Sequence, residues 1–194
     1  MRGVLLKSFL ALLLVAEATP LPSHAQAIEP GREGQLAVLV RPKAGERACY
    51  ARTYDRKHLD AHPHQKVTEM HFRLAYHVFP SDKFFPKGQR NYYFQLLARL
   101  HGRSKPLKAI GECGPTQDGK GIFCGVECDG GGVMITPRDG GRLLVDLQST
   151  GRIRMTEGCD DDEENGVELE PGRDDRTFLL SPAKPDECPA YEDW

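Results

Sequence analysis

The chain has 194 residues and a formal net charge of −2, and its length suits one domain with a sizeable core. The near balance hides an asymmetry: residues 28–110 carry 16 Lys+Arg against 7 Asp+Glu, and residues 111–194 carry 8 against 20. Two such halves either attract each other within one domain or present a bipolar surface. The basic residues are scattered rather than clustered with aromatics, which argues against a nucleic-acid partner.

The N-terminus reads as an export signal. Arg2 and Lys7 flank the start of an apolar run, Phe9 to Ala16, which is shorter than the roughly 20 residues a spanning helix needs. Pro20 and Pro22 break any helix, and Ala25-Gln26-Ala27 supplies the small-x-small pattern of a cleavage site, so cleavage is predicted after Ala27. The expected organisation is a signal peptide at 1–27, a loose N-terminal segment at 28–47, a single disulfide-stapled β domain at 48–188 and a tail at 189–194. No other stretch has the length and apolarity of a transmembrane segment. The expected location is the periplasm or the exterior.

Within 28–47 the run LAVLV, 36–40, is predicted as an edge strand, and Ala48 to Tyr54 as a second strand. Asp55 is placed to cap a short helix near 55–62, which Pro63 ends. In VTEMHFRLAYHVF, 67–79, Met70, Phe72, Leu74, Tyr76 and Val78 fall on one face and Glu69, His71, Arg73 and His77 on the other. That period of two is the strongest strand signal in the chain, and Tyr92, Phe94, Leu96, Ala98 and Leu100 repeat it. Shorter strands are predicted at 106–112, 121–128, 133–137, 142–148, 152–157, 167–170 and 176–180. The Pro-rich stretch from Ser181 is read as irregular. The fold class is therefore all-β: an antiparallel meander of about 8–10 short strands closing as a barrel or sandwich. Phe72, Leu74, Tyr92, Phe94 and Leu96 form its predicted core.

Turn chemistry fixes a register. A two-residue turn at Asp118-Gly119 makes paired residue numbers sum to 237 and sets Cys113 opposite Cys124, close enough to bond. Pro115, facing Ile122, would lose a ladder bond and make that hairpin end irregular. A turn at Gly130-Gly131 places Val126 opposite Ile135. A three-residue turn at 139–141 places Ile135 opposite Val145, and one at 149–151 places Leu147 opposite Ile153. The six cysteines follow the predicted cleavage point, as expected of three disulfides in an exported chain. This register gives Cys113–Cys124, Cys159–Cys188 and Cys49–Cys128. Cys128–Cys159 is disfavoured, because Cys128 sits about 13 Å along the strand from Cys124.

The run CGVECDGGG, 124–132, invites metal and phosphate readings. Cys124 and Cys128, about 13 Å apart on one strand, cannot share a zinc ion, and the strand after the glycines replaces the helix a phosphate loop needs. The run is read as a tight turn. His58, His62 and His64 are the candidate metal ligands, since His58 and His62 are four apart on a helix; the competing reading is a polar helix beside a turn. His71 and His77 stand about 20 Å apart along their strand. The acidic run from Asp160 to Glu164 has partial calcium-loop spacing from Asp161, but Gly172 stands where the last carboxylate belongs. No nucleophile elbow or paired His-Glu metal motif occurs.

TYDRKHLDAHPHQKVTEM, 53–70, and FCGVECDGGG, 123–132, resemble segments of uncharacterised exported proteins of Gram-negative bacteria, over about Cys49 to Cys188. The resemblance implies a signal peptide and an envelope location; it implies no activity, ligand or site. The expected function is that of an exported, non-catalytic β domain without a cofactor, binding a small ligand or an envelope partner. The alternatives are a periplasmic metal-binding protein using His58, His62 and His64, and, with least support, a secreted hydrolase. The bulk of Phe72, Tyr76, Tyr92 and Phe94 favours a filled interior over a large pocket.

Overall fold

The computed structural model describes residues 28–83, 85–86, 88–126, 130–156 and 166–188. Eight antiparallel strands close a barrel: β1 (Arg47–Thr53), β2 (Val67–Phe79), β3 (Gln89–Leu100), β4 (Leu107–Pro115), β5 (Ile122–Gly125), β6 (Gly132–Arg138), β7 (Arg142–Asp146) and, after a two-stranded ribbon of β8 (Ile153–Met155) and β9 (Val167–Leu169), β10 (Thr177–Ala183). The strands run in chain order around the wall from β1 to β7, and β10 completes it by pairing with both β7 and β1. Among the described residues, every wall strand of the barrel has a partner on both sides.

The long alternating segments form the wall as their pattern requires. Phe72 faces Leu96 and Leu74 faces Phe94 across β2 and β3. These four and Tyr92 are fully buried. The rings of Phe72 and Phe94 stack at 5.6 Å, and Tyr76 meets Tyr92 edge-on at 5.0 Å. Inward residues from all eight wall strands join one cluster, so the interior is packed with side chains, as an eight-stranded barrel permits.

The hairpin registers divide into two groups. Cys113 pairs with Cys124 and Pro115 with Ile122, the sum of 237 that Asp118-Gly119 sets. Arg138 pairs with Arg142 around the predicted three-residue turn, which is a single 3₁₀ turn over Asp139–Gly141. Between β5 and β6, however, Cys124 faces Val133 and Ile122 faces Ile135, four units from the expected register. The connection there is wider than Gly130-Gly131 alone, with the Val126 N–H donating to the Gly131 carbonyl. A shift by an even number keeps every side chain on its face, so alternation cannot detect it. Leu147 does not pair with Ile153. Instead β7 pairs with β10, and β8 leaves the wall. Gly131 bridges Ile153 and Lys108 bridges Thr156, which lays β8 across the ends of β6 and β4. Ile153, Met155 and Leu169 of the ribbon are buried in the main core and seal that end of the barrel.

Three further expectations are corrected. LAVLV is not an edge strand. Leu36–Leu39 form one helical turn, α1, with Leu36 and Val40 buried at i, i+4 spacing and Val38 77% exposed; four residues with one apolar side plug a barrel end better than they extend a closed wall. The segment 28–47 is accordingly not loose: the Tyr92 hydroxyl donates to the Val40 carbonyl at 3.0 Å, and Leu36 and Val40 belong to the core. Nor is the chain irregular from Ser181. β10 continues to Ala183, with Tyr50 paired to Pro182, because the wall needs that length to close on β1.

The structure contains Cys113–Cys124 and Cys49–Cys188. Cys49 is thus not bonded to Cys128, nor Cys188 to Cys159. The expected pairings placed β8 and β9 in the meander. With β10 next to β1 instead, the chain leaves β10 beside Cys49, and Cys188 is the cysteine within reach. Cys128 and Cys159, like residues 1–27, in which the signal peptide is predicted, the acidic run and residues 189–194, lie outside the described residues.

Candidate functional site

Where β4 approaches its end, β3 and β4 part. Their pairing stops at Tyr92 and Cys113, and beyond that point the N-terminal arm takes over: the Ile28 N–H donates to the Arg90 carbonyl at 3.2 Å. The arm then passes beside the β4–β5 hairpin, where the Gln35 side chain donates to the Lys120 carbonyl. Between arm and hairpin lies a groove of about 610 Å³ lined by Ile28, Glu29, Arg32, Pro115, Thr116 and Gln117, together with Gly31, Gly34, Gly114 and Gly119.

Four glycines among ten lining residues leave main chain uncovered by side chains along both rims. A Cβ built on Gly114 meets nothing within 4 Å. Gly34 and Gly119 have φ of 56° and 69°, the left-handed region that glycine enters without strain. The hairpin tip is rigid. Thr116 Oγ1 donates to Asp118 at 2.6 Å and accepts from the Gly121 N–H, and Asp118 Oδ1 accepts from the Lys120 N–H. These donors hold the Asp118 carboxyl below its usual range, the Thr116 hydroxyl foremost. Beneath the arm, burial pushes the Tyr92 phenol up, with the Glu33 carboxylate adding to the effect. Tyr92 is therefore a neutral donor to Val40, fixed by packing.

Among the described lining residues the ionisable side chains are Glu29 and Arg32, and the Thr116 hydroxyl is committed to its own turn. The groove can offer shape, exposed peptide groups and one charge of each sign. Among its described lining residues there is no histidine, cysteine or paired carboxylate.

The three histidines singled out in the sequence lie at the opposite end, on and after α2 (Arg56–Ala61), whose N-cap Asp55 accepts from the His58 N–H at 2.7 Å. They do not converge. His58 and His62 stack face to face, centroids 4.1 Å apart, with His58 bonded to Gln65, His62 to the His58 carbonyl, and His64 to Arg173. Among the described residues no group of three or more His, Cys, Asp or Glu is placed to hold a metal ion. His71 lies on the barrel exterior bonded to Glu69.

The fold and groove define a disulfide-bonded, eight-stranded up-and-down barrel with a backbone-lined cleft at one end. No family model, curated protein or solved structure matches the chain. Among the described residues no helix is long and apolar enough to cross a membrane. Two disulfides are the mark of a chain that matures outside a reducing compartment. No motif pointed to the groove in the sequence. The one signal was Pro115, which cannot donate to a ladder and marked that hairpin end as irregular.

Proposed function

We propose that this is an exported, non-catalytic binding domain that takes an extended peptide segment of an envelope partner into the groove between the N-terminal arm and the β4–β5 hairpin. One observation carries the reading: four of the ten lining residues are glycine, so main-chain donors and acceptors are accessible where the β3–β4 ladder ends. Extended peptides are recognised through such groups. The packed interior favours this surface over a ligand held inside the barrel. The two disulfides and the N-terminal signal pattern support an oxidising location in the periplasm or outside the cell.

The test is selection of peptides from a random library on the purified protein, followed by measurement of their affinity for Gly114→Leu. That side chain enters open space beside the groove, so the variant should melt like the wild type and bind at least about tenfold more weakly. Peptides that bind both proteins equally, or a library that yields no binder, would reject the reading.

A further inference from the structure

The predicted cleavage point and the groove meet at one atom. Ala25-Gln26-Ala27 places the cut at the Ala27–Ile28 peptide bond, and Ile28 lines the groove. Its side chain packs against the barrel core. Its N–H donates to the Arg90 carbonyl at 3.2 Å, past the point where β3 and β4 stop pairing. The chain then turns sharply. The Arg32 N–H donates to the Glu29 carbonyl at 2.9 Å around Pro30 and Gly31, with Gly31 at φ 81°, as in a type II turn. The Ile28 nitrogen is therefore held in the groove wall by an apolar anchor on one side and a hydrogen bond on the other.

Cleavage changes what that nitrogen can do. Hydrolysis takes up one water and leaves a carboxylate on Ala27 and an amine on Ile28. An α-amino group titrates near about 7.7–8.0, so at neutral pH it is mostly an ammonium. As an amide the nitrogen has one proton, and Arg90 takes it. As an ammonium it has three, so two donors and a positive charge become available to another group. The other charges lining the groove, Glu29 and Arg32, are one of each sign. Asp118 and Lys120 at the hairpin tip are likewise one of each. Glu33 is buried beside Tyr92 and Tyr76 and does not line the groove. The Thr116 hydroxyl is committed to its own turn. Processing thus converts a groove of balanced charge into one with a net positive donor fixed in its wall.

We infer that cleavage after Ala27 primes this groove for a carboxylate: the Ile28 ammonium of the mature chain binds an acidic side chain or the carboxyl terminus of the incoming peptide, which the uncleaved chain does not. The inference rests on the peptide-binding reading above and adds to it the charge of the partner and the step that creates the site. Capture of carboxylates by backbone donors is a recurring mode of peptide recognition.

The test uses protein exported from the full-length precursor. Its intact mass should correspond to a chain beginning at Ile28. Peptides selected on it from the random library are then measured against the same protein acetylated at the α-amine. That amine titrates well below lysine, so acetylation at about pH 6.5 reaches it first, and peptide mapping locates the acetyl group. Acetylation restores the single N–H of the amide, so the modified protein should melt like the mature one and bind at least about tenfold more weakly. Amidating the peptide's carboxyl terminus, or replacing its Asp and Glu by Asn and Gln, identifies the carboxylate: one of the two changes should weaken binding to the mature protein and not to the acetylated one. A mature chain that begins elsewhere, or selected peptides that bind both forms equally, would overturn this inference and leave the groove reading standing. A loss on acetylation that is the same for peptides without a carboxylate would overturn it too. A library that yields no binder would reject both.

Discussion

Phe94→Ala probes the filled interior most sharply. Phe94 is fully buried, faces Leu74 on one side and Gly111 on the other, and stacks on Phe72. Large-to-small changes at such sites cost about 3–5 kcal/mol, and the stacked pair adds about 0.5–1.5 kcal/mol beyond buried area. Relaxation is limited here, because Gly111 has no side chain to swing into the void. The expected loss is about 4–6 kcal/mol, a large part of the roughly 5–15 kcal/mol that holds a domain together. In a chain of this size that lowers the melting temperature by about 10–20 °C. Urea denaturation followed by far-UV circular dichroism at fixed pH measures it. A loss under about 1.5 kcal/mol with an unchanged slope would show that Phe94 is not enclosed, and the barrel would then have to be hollow.

Gly111→Ala should destabilise by about 1–3 kcal/mol or more, since its Cβ would lie 1.9 Å from the Gly125 carbonyl oxygen and 3.0 Å from the Phe94 ring; an unchanged melting curve would contradict the β4–β5 geometry. Non-reducing peptide mapping should return Cys49–Cys188 and Cys113–Cys124, and Cys49→Ser/Cys188→Ser should lose about 2–5 kcal/mol because that bridge closes 139 residues of chain; a mapped peptide joining Cys49 to Cys128 would contradict the closure. Asp175 is fully buried, and burial raises its carboxyl above the usual aspartate range despite the Lys66 and Val67 donors. A raised folded value means that stability from this group is complete below the ordinary aspartate range and is lost as pH rises through the folded value. Asp175→Asn should remove that slope from urea titrations across acidic pH, and wild-type and variant curves of identical slope would refute it.

The wall of the barrel was legible because β2 and β3 are long and one-sided, so a slip of one residue would expose Phe72, Leu74 and Phe94 together. Asp118-Gly119 and the turn at 139–141 were legible through turn chemistry. The β5–β6 register was not, since a shift of four leaves Val133 and Ile135 facing inward either way. The error at α1 has a similar origin: Leu36 and Val40 satisfy a helical spacing within a run of five that also suits a strand. The disulfides depended on which strand neighbours which, and the departure of β8 from the wall is a long-range event that no local pattern records. The groove was hidden for the same reason, being made where one ladder stops and an arm from elsewhere in the chain takes its place.

Amide chemical-shift mapping of the protein titrated with a selected peptide tests the central claim most directly. Shifts should be confined to residues 28–35 and 114–121, with the amides of Phe72 and Phe94 unmoved. Shifts centred on Phe72, Phe94 and the other inward residues would mean that the barrel itself opens to hold the ligand, and would contradict the account.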